Sequence, residues 1–396
     1  MTQIQTQQKS SNSELKAAPQ NIPFIDLQAQ RLRIAAEIDA AILKATHEGN
    51  YIMGPQVKAL EEALAEFCGA KYCISCSSGT DSLAMVLMAK GVRPGDAIFV
   101  PAFTFIATAE VVAWLGAKAF IVDVEQNSFN MNPASLKQVI IDAKAQGLRP
   151  VGVIPVDLFG QPANYPALIE IADESGLWVM ADAAQSFGAS LNGKAVGQWG
   201  LATSTSFFPA KPLGCYGDGG ALFTDDAELA EVLISLRVHG KGSDKYDNVR
   251  IGMNGRLDTL QAAILLEKLK IFPDELTAKQ KVADRYNEGL SDLVSVPQLE
   301  RGATSSWAQY TIILPEKINR DAFANACKAA GVPTAIYYPI PISKQKAYQH
   351  FPVVSGGVPV SDHLAAHVIS LPMHAYLETD VQDYIIQTVR SAIEKP

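Results

Sequence analysis

A lysine stands between two prolines in FFPAKPLGCYGDGGAL, Phe207 to Leu222, just ahead of a glycine-rich strip. Pro209 and Pro212 rule out a helix there, so Lys211 rides on a rigid, irregular loop among small and apolar neighbours. An amine in such surroundings loses hydration. Its pKa falls, and the neutral form that attacks carbonyl carbons is favoured. The plainer reading of Lys211 is a surface lysine on a loop. A second group changes the balance. Asp182 ends the apolar run of VMADAAQSFGA, upstream of Lys211, with Gln185 three residues further on. A carboxylate at the carboxyl end of a buried strand stands where open α/β sheets bind ligands. A lone Asp in DAAQ also serves as a helix cap.

A desolvated lysine and a buried carboxylate together suit pyridoxal 5′-phosphate (PLP). The lysine binds the aldehyde carbon, and the carboxylate keeps the pyridine nitrogen protonated, so that the ring withdraws electrons. The phosphate then needs a cradle, and CGAKYCISCSSGTDSL offers two conflicting readings. By its cysteines, Cys68, Cys73 and Cys76, it is C-x4-C-x2-C, the spacing of three ligands of a plant-type [2Fe–2S] cluster. By its end, SSGTDSL, it is a turn opening a helix, where Gly79 and Thr80 present free N–H groups to an anion. Ser206, five residues before Lys211, adds a hydroxyl. The cluster needs a fourth ligand, and the available Cys215 lies in the lysine's own loop. The pair between Cys73 and Cys76 is strand-like rather than a loop, and buried free cysteines pack as small hydrophobes. The stretch therefore reads better as a phosphate cradle than as a cluster site.

These groups need elements to hold them. From Pro23 onward short apolar strands alternate with helical patterns: AIFVPA with TFIATAEVVAWLG, KAFIVDV with NPASLKQVIIDAKAQG, PVGVIPVDLFG with NYPALIEIADESG. Strands apolar on both faces belong to a buried sheet covered by helices, which predicts an α/β domain with a mostly parallel sheet. QRLRIAAEIDAAILKATHEG reads as one helix stopping at Gly49. Past Phe272 the texture changes to a smaller α+β region. The expected division is a disordered tail over 1–20, a large α/β domain over 21–272 and a small domain over 273–396.

Bulk properties bound the partners. The chain has 396 residues, too many for one compact core. Its net charge is −8, from 33 basic and 41 acidic residues, with no long basic run, so no nucleic-acid partner is expected. Five cysteines, an odd number in a long chain, argue against a disulfide framework and for a reducing, cytoplasmic setting. The most apolar stretch is broken by Pro101, Glu110 and Lys118, so no membrane span is expected.

Five segments in order, SSGTDSL, PAFTFIATA, ADAAQSFGA, SFFPAKPLGCYGDGGAL and GMNGRLDTLQAAIL, resemble the PLP-dependent sugar-nucleotide aminotransferases of DegT/StrS type. The likeness runs from IPFIDLQAQ to the C-terminus. It implies the aspartate-aminotransferase-like fold, PLP fold type I. It implies that Lys211 binds the cofactor covalently and later shuttles a proton, that Asp182 meets the pyridinium nitrogen, and that Gln185 lies near the ring's phenolic oxygen. Gly79, Thr80 and Ser206 would hold the phosphate. Phe105, otherwise a core residue, would stack on the ring. Asn254 would reach the cofactor of a neighbouring subunit, which requires a homodimer with composite sites. A lysine at 211, rather than a histidine, implies transamination rather than dehydration.

The pairing of FPAKPLGCYGDGG with YYPIPISKQKAY is most similar to enzymes that aminate a UDP-linked 3-keto N-acetylglucosaminuronic acid. Such a substrate carries a carboxylate that suits the bidentate fork of an arginine. The resemblance puts Arg256 there, beside the reading of an ordinary ion pair, and puts Tyr337 and Tyr338 in the substrate loop. His239 is a further candidate beside a plain loop histidine. The implied partners are this keto sugar and L-glutamate as donor, and the implied product is a precursor for surface polysaccharide such as lipopolysaccharide O-antigen. Amination of a 4-keto or dTDP-linked 3-keto sugar, and a non-catalytic binding protein, are the rival expectations.

Overall fold

The computed structural model describes residues 21–244 and 246–394; the tail expected over 1–20 lies outside them. Three helices come first, α1 (Leu27–Arg33), α2 (Ala35–Glu48) and α3 (Pro55–Cys68). The run expected as one helix is broken at Ile34 (φ −126°), and α2 ends at Gly49 in the left-handed region (φ 71°), which costs glycine nothing. Strands and helices then alternate as the patterning predicts: β1 (Tyr72–Cys76), α4 (Gly79–Ala89), β2 (Asp96–Pro101), α5 (Ala107–Trp114), β3 (Lys118–Val122), α6 (Pro133–Ala145), β4 (Arg149–Val153), α7 (Tyr165–Glu174) and β5 (Trp178–Asp182). A short hairpin, β6 (Ser190–Leu191) and β7 (Lys194–Ala195), precedes β8 (Ala202–Ser206), β9 (Gly220–Thr224) and α8 (Ala227–Arg237).

Seven strands form one sheet in the order β1-β9-β8-β5-β4-β2-β3. The pairs β3/β2, β2/β4, β4/β5 and β5/β8 are parallel; β8/β9 and β9/β1 are antiparallel. This is the mostly parallel α/β sheet expected, and its parallel strands β2, β4, β5 and β8 share one carboxyl edge. All six residues of β2 are buried, as a strand covered on both faces requires. Ile98, Val100, Met85 and Leu136 belong to the cluster beneath α4 to α7. Val57, Leu64, Phe187, Phe223 and Phe272 fill the opposite side.

The cysteines divide between those sides. Cys73 packs with Phe187 and Phe223, whereas Cys76 packs with Met85 and Leu83. Three residues apart on one strand, they face opposite ways and do not converge on a common point. Burial pushes the thiols up, to about 11 for Cys68 and Cys215 and about 12 for Cys76.

The 32-residue helix α9 (Thr259–Leu290) follows, with β10 (Tyr310–Ile313), α10 (Arg320–Ala329), α11 (Pro359–His367), β11 (Val368–Leu371) and α12 (Thr379–Glu394) completing the chain. The antiparallel pair β10/β11 lies in a core of Tyr286, Leu290, Phe323, Ile385 and Val389. Helix α9 feeds two cores: Ala262, Leu265 and Phe272 in one cluster, Val282, Tyr286 and Leu290 in another. The division expected between 272 and 273 therefore falls inside a continuous helix. Pro273 is exposed, and its missing N–H does not break α9. Among the described residues no helix is long and apolar enough to cross a membrane.

Candidate active site

Asp182 is the last residue of β5 and is 5% exposed. Its backbone is held on both sides, the N–H donating to the Pro155 carbonyl (2.9 Å) and the carbonyl accepting from Asp157 N–H (3.0 Å). Its Oδ2 accepts from Thr108 Oγ1 at 2.8 Å and its Oδ1 from Ala184 N–H at 3.2 Å. Burial pushes this carboxyl above the usual range, while Thr108, Ala184 and the charge of Lys211 pull it back. No ion pair to Asp182 is present among the described residues. A buried carboxylate with two neutral donors and no salt-bridge partner is a site that a cationic N–H completes.

Lys211 follows β8 on a turn closed by its own N–H to the Phe208 carbonyl (2.8 Å). Desolvation lowers its pKa, and the attraction of Asp182 opposes part of that fall. The direction is the one expected of an amine that must lose its proton to react. The loop is clamped from α9. Lys268 Nζ donates to the Gly214 carbonyl (2.7 Å) and lies 4.4 Å from the Tyr216 ring centre, and Gln261 Oε1 accepts from Tyr216 N–H (2.9 Å). Gly214 has no room for a side chain: a Cβ would stand 2.4 Å from the Pro209 carbonyl oxygen.

The residues expected to cradle an anion come together where α4 meets the ends of β8 and β9. Ser78 caps the helix, accepting from Asp81 N–H at 3.0 Å. Gly79 and Thr80 are then the first helical residues, whose N–H groups have no intrahelical acceptor. Gly79 lies directly against Ser206: a Cβ at 79 would stand 2.7 Å from Ser206 Cβ. Gly220 completes the narrow wall, since its Cβ would stand 2.5 Å from the Ser78 carbonyl oxygen. Sequence reasoning missed Gly220; the doubled glycine of GDGGAL was its signal. Missing side chains, a capped helix start and an adjacent hydroxyl suit a phosphate.

Phe105 precedes α5 and is 52% exposed, so the core position that composition alone suggests is not where it lies. Its ring centre is 6.2 Å from that of Tyr338. Tyr338 reaches Gln185, whose Nε2 donates to its hydroxyl at 3.2 Å. Gln185 Oε1 accepts from Phe159 N–H at 2.6 Å, which fixes the amide with its NH2 toward Tyr338. Tyr337 lies against Tyr338 and Phe24, at 5.9 and 6.3 Å between ring centres. Thr108, Phe159 and Tyr338 thus join Asp182 and Gln185 across long separations that no local pattern encodes.

The segment carrying Asn254 and Arg256 sits at one side. Gly255 accepts from Ser77 N–H (3.1 Å) and donates to the Arg237 carbonyl (3.0 Å). Asn254 is exposed, and Arg256 is half-buried with its Nε buried and without a partner. No hydrogen bond among the described residues links either one to Lys211 or Asp182. His239, in the left-handed region (φ 59°), donates its backbone N–H to the Met253 carbonyl (2.9 Å).

Comparison with known proteins identifies the family of the chain. The DegT/DnrJ/EryC1/StrS aminotransferase family matches residues 32–390. A Pseudomonas aeruginosa protein, UDP-2-acetamido-2-deoxy-3-oxo-D-glucuronate aminotransferase, is 48% identical over 359 residues, 90% of this chain and 96% of that one. The crystal structure of a DegT/DnrJ/EryC1/StrS aminotransferase from Brucella abortus superimposes with a TM-score of 0.93 at 51% identity, covering 94% of this chain and all of that one. The S. venezuelae DesV structure, in complex with a ketimine intermediate, superimposes with a TM-score of 0.89 at 33% identity, covering 95% of this chain and 99% of that one. The chain belongs to the DegT/DnrJ/EryC1/StrS family and is a PLP-dependent sugar aminotransferase.

Proposed function

We propose that this enzyme transfers the amino group of L-glutamate to C3 of a UDP-linked 3-keto N-acetylglucosaminuronic acid. The observation that carries the reading is the pairing of a desolvated Lys211 with a buried Asp182 that lacks a cationic partner, in a chain 48% identical to an aminotransferase named for that sugar. PLP supplies the electron sink. Lys211 binds it and then moves the proton between the substrate carbon and the cofactor, the work of a positioned base. Asp182, held by Thr108 and Ala184, keeps the ring nitrogen protonated. Gln185 presents its NH2 to the ring's oxygen, with its carbonyl fixed on Phe159 N–H. Gly79, Thr80 and Ser206 hold the phosphate, and Phe105 covers one face of the ring.

In this reading Asn254 and Arg256 act across a homodimer: Asn254 reaches the phosphate in the partner's site, and Arg256 binds the sugar carboxylate there. The unpartnered Nε of Arg256 supports that assignment. Tyr337 and Tyr338 line the sugar's approach. The enzyme works in the cytoplasm, where five buried free thiols stay reduced, and its product feeds surface-polysaccharide assembly.

The test is the absorbance of the purified protein before and after L-glutamate, followed by a panel of keto sugars with product masses measured. Loss of the yellow band with glutamate, and amination of the 3-keto uronate in preference to the 3-keto sugar lacking the carboxylate, is the expected result. Conversion of 4-keto or dTDP-linked 3-keto sugars alone would replace the substrate assignment. A band that no donor bleaches would make the protein a binder.

A further inference from the structure

Behind Asp182 and Gln185 lies a second acid that the roles above do not use. Asp157 follows β4 and is completely buried. Its Oδ1 accepts from Ala163 N–H (2.8 Å) and Tyr165 Oη (2.7 Å), and its Oδ2 accepts from Ser186 Oγ (2.7 Å). Its own N–H donates to the Asp182 carbonyl (3.0 Å). One side chain therefore ties the turn after β5, which carries Asp182 and Gln185, to the start of α7. Tyr165 is itself fixed, its ring stacked on Trp199 at 5.3 Å and 11°. Three donors on a carboxylate with no salt-bridge partner is a costly arrangement for a purely structural residue, because an apolar replacement avoids the desolvation altogether.

We propose that Asp157 is a positioning residue of the cofactor site, which fixes the Asp182–Gln185 turn and supplies a second negative charge behind the ring nitrogen. The inference rests on the placement of PLP against Asp182 given above. The titratable groups around Asp157 are Tyr165 from α7 and Asp182 from β5, with Lys211 beyond Asp182. Burial raises the Asp157 carboxyl to about 7, the hydrogen bonds from Ser186, Tyr165 and Ala163 pull it back, and Asp182 adds repulsion. When ionised it favours every cation of the site, including the proton held on the Lys211 nitrogen in the yellow form of the bound cofactor.

The experiment is a pH titration of the yellow absorbance of the holoenzyme, wild type against Asp157→Asn. The amide keeps an acceptor for Ala163 and Tyr165 and removes the charge. The pH at which the yellow form is lost should fall by about half a unit or more, the direction and scale expected for removing one buried negative charge from a site of low effective dielectric. Tyr165→Phe and Ser186→Ala each remove one donor, leave the carboxyl more readily protonated, and should move the midpoint the same way by less; they carry the test if Asp157→Asn does not fold. Midpoints equal to wild type in the folded variants would overturn the proposal. Asp182→Asn separates the underlying reading: an unchanged spectrum there would remove Asp182 from the ring nitrogen, whatever Asp157 does.

Discussion

Replacing Gly79 by alanine should weaken PLP binding while leaving the apoprotein folded. The new Cβ would stand 2.7 Å from Ser206 Cβ and 3.2 Å from its Cα. Carbon atoms rest at about 3.5–4.0 Å, so one partner must retreat by roughly 1 Å. Ser206 is pinned by its pairing with Gly220 in β9, so the start of α4 gives way instead. Two stability effects then oppose each other. Alanine in a helix is favoured over glycine by about 0.5–1 kcal/mol, and overpacking costs about 1–3 kcal/mol. The net cost is about 2.5 kcal/mol or less, which moves Tm by a few degrees in a chain of this size. The cofactor should lose more, because the displaced N–H groups are those proposed to meet its phosphate. One or two charge-assisted hydrogen bonds at about 1.5 kcal/mol each amount to roughly 10- to 150-fold in Kd. Absorbance titration of the apoprotein with PLP, beside a melting curve, measures both quantities. A Kd within twofold of wild type would refute the cradle.

Lys211→Ala should bind PLP without the covalent bond, so that the cofactor dialyses away and glutamate conversion is lost; turnover at the wild-type rate would remove the lysine from catalysis. Thr108→Val strips the one hydroxyl on Asp182 Oδ2 at nearly constant volume, and a buried charge-assisted hydrogen bond of about 1.5–3 kcal/mol should appear as a roughly tenfold or greater loss in kcat/KM for glutamate. Lys268→Met tests the clamp through pH. Burial holds Lys268 at about 8, below its ordinary 10.5, so the folded chain binds fewer protons than the unfolded one between those values, and wild-type stability rises with pH there. Relative to the methionine variant, wild type should gain up to about 3 kcal/mol between pH 8 and 10.5, read from denaturant unfolding; a constant difference across that window would show that Lys268 does not titrate there.

The strand–helix alternation was legible because each strand is apolar on both faces and each helix is punctuated by its own cap or glycine, all within a few residues. Lys211 and Asp182 were legible for the same reason: a proline-bracketed lysine and a carboxylate closing an apolar strand are local patterns. The groups that orient them were not. Thr108 meets Asp182 across 74 positions, and Gln185 meets Tyr338 across 153, so only the folded sheet edge brings them together. Phe105 reads as core by composition, yet its place beyond β2 leaves it facing the open site. One expectation came from a local signal that packing overrides: the helical run around Ile34 kinks despite its periodicity. The helix through Pro273 continues despite its proline. Burial of Phe272 and Glu275 on either side outweighs one lost backbone hydrogen bond.

That helix has a consequence for how the molecule comes apart. Over 32 residues α9 is about 48 Å long, and its first half is a wall of one core while its second half is a wall of the other. Neither core can melt without exposing half of the same rod, and a rod frayed at one end loses the propagation that stabilises the other. Unfolding should therefore be a single cooperative event for both cores, and a fragment ending at 272 would keep the candidate site residues numbered below 273 but lose the rest of the rod. Any bending of one core against the other must then come from the connections around α9 rather than from within it. The same rod that presents Lys268 and Gln261 to the lysine loop thus serves as the fixed axle of any such motion.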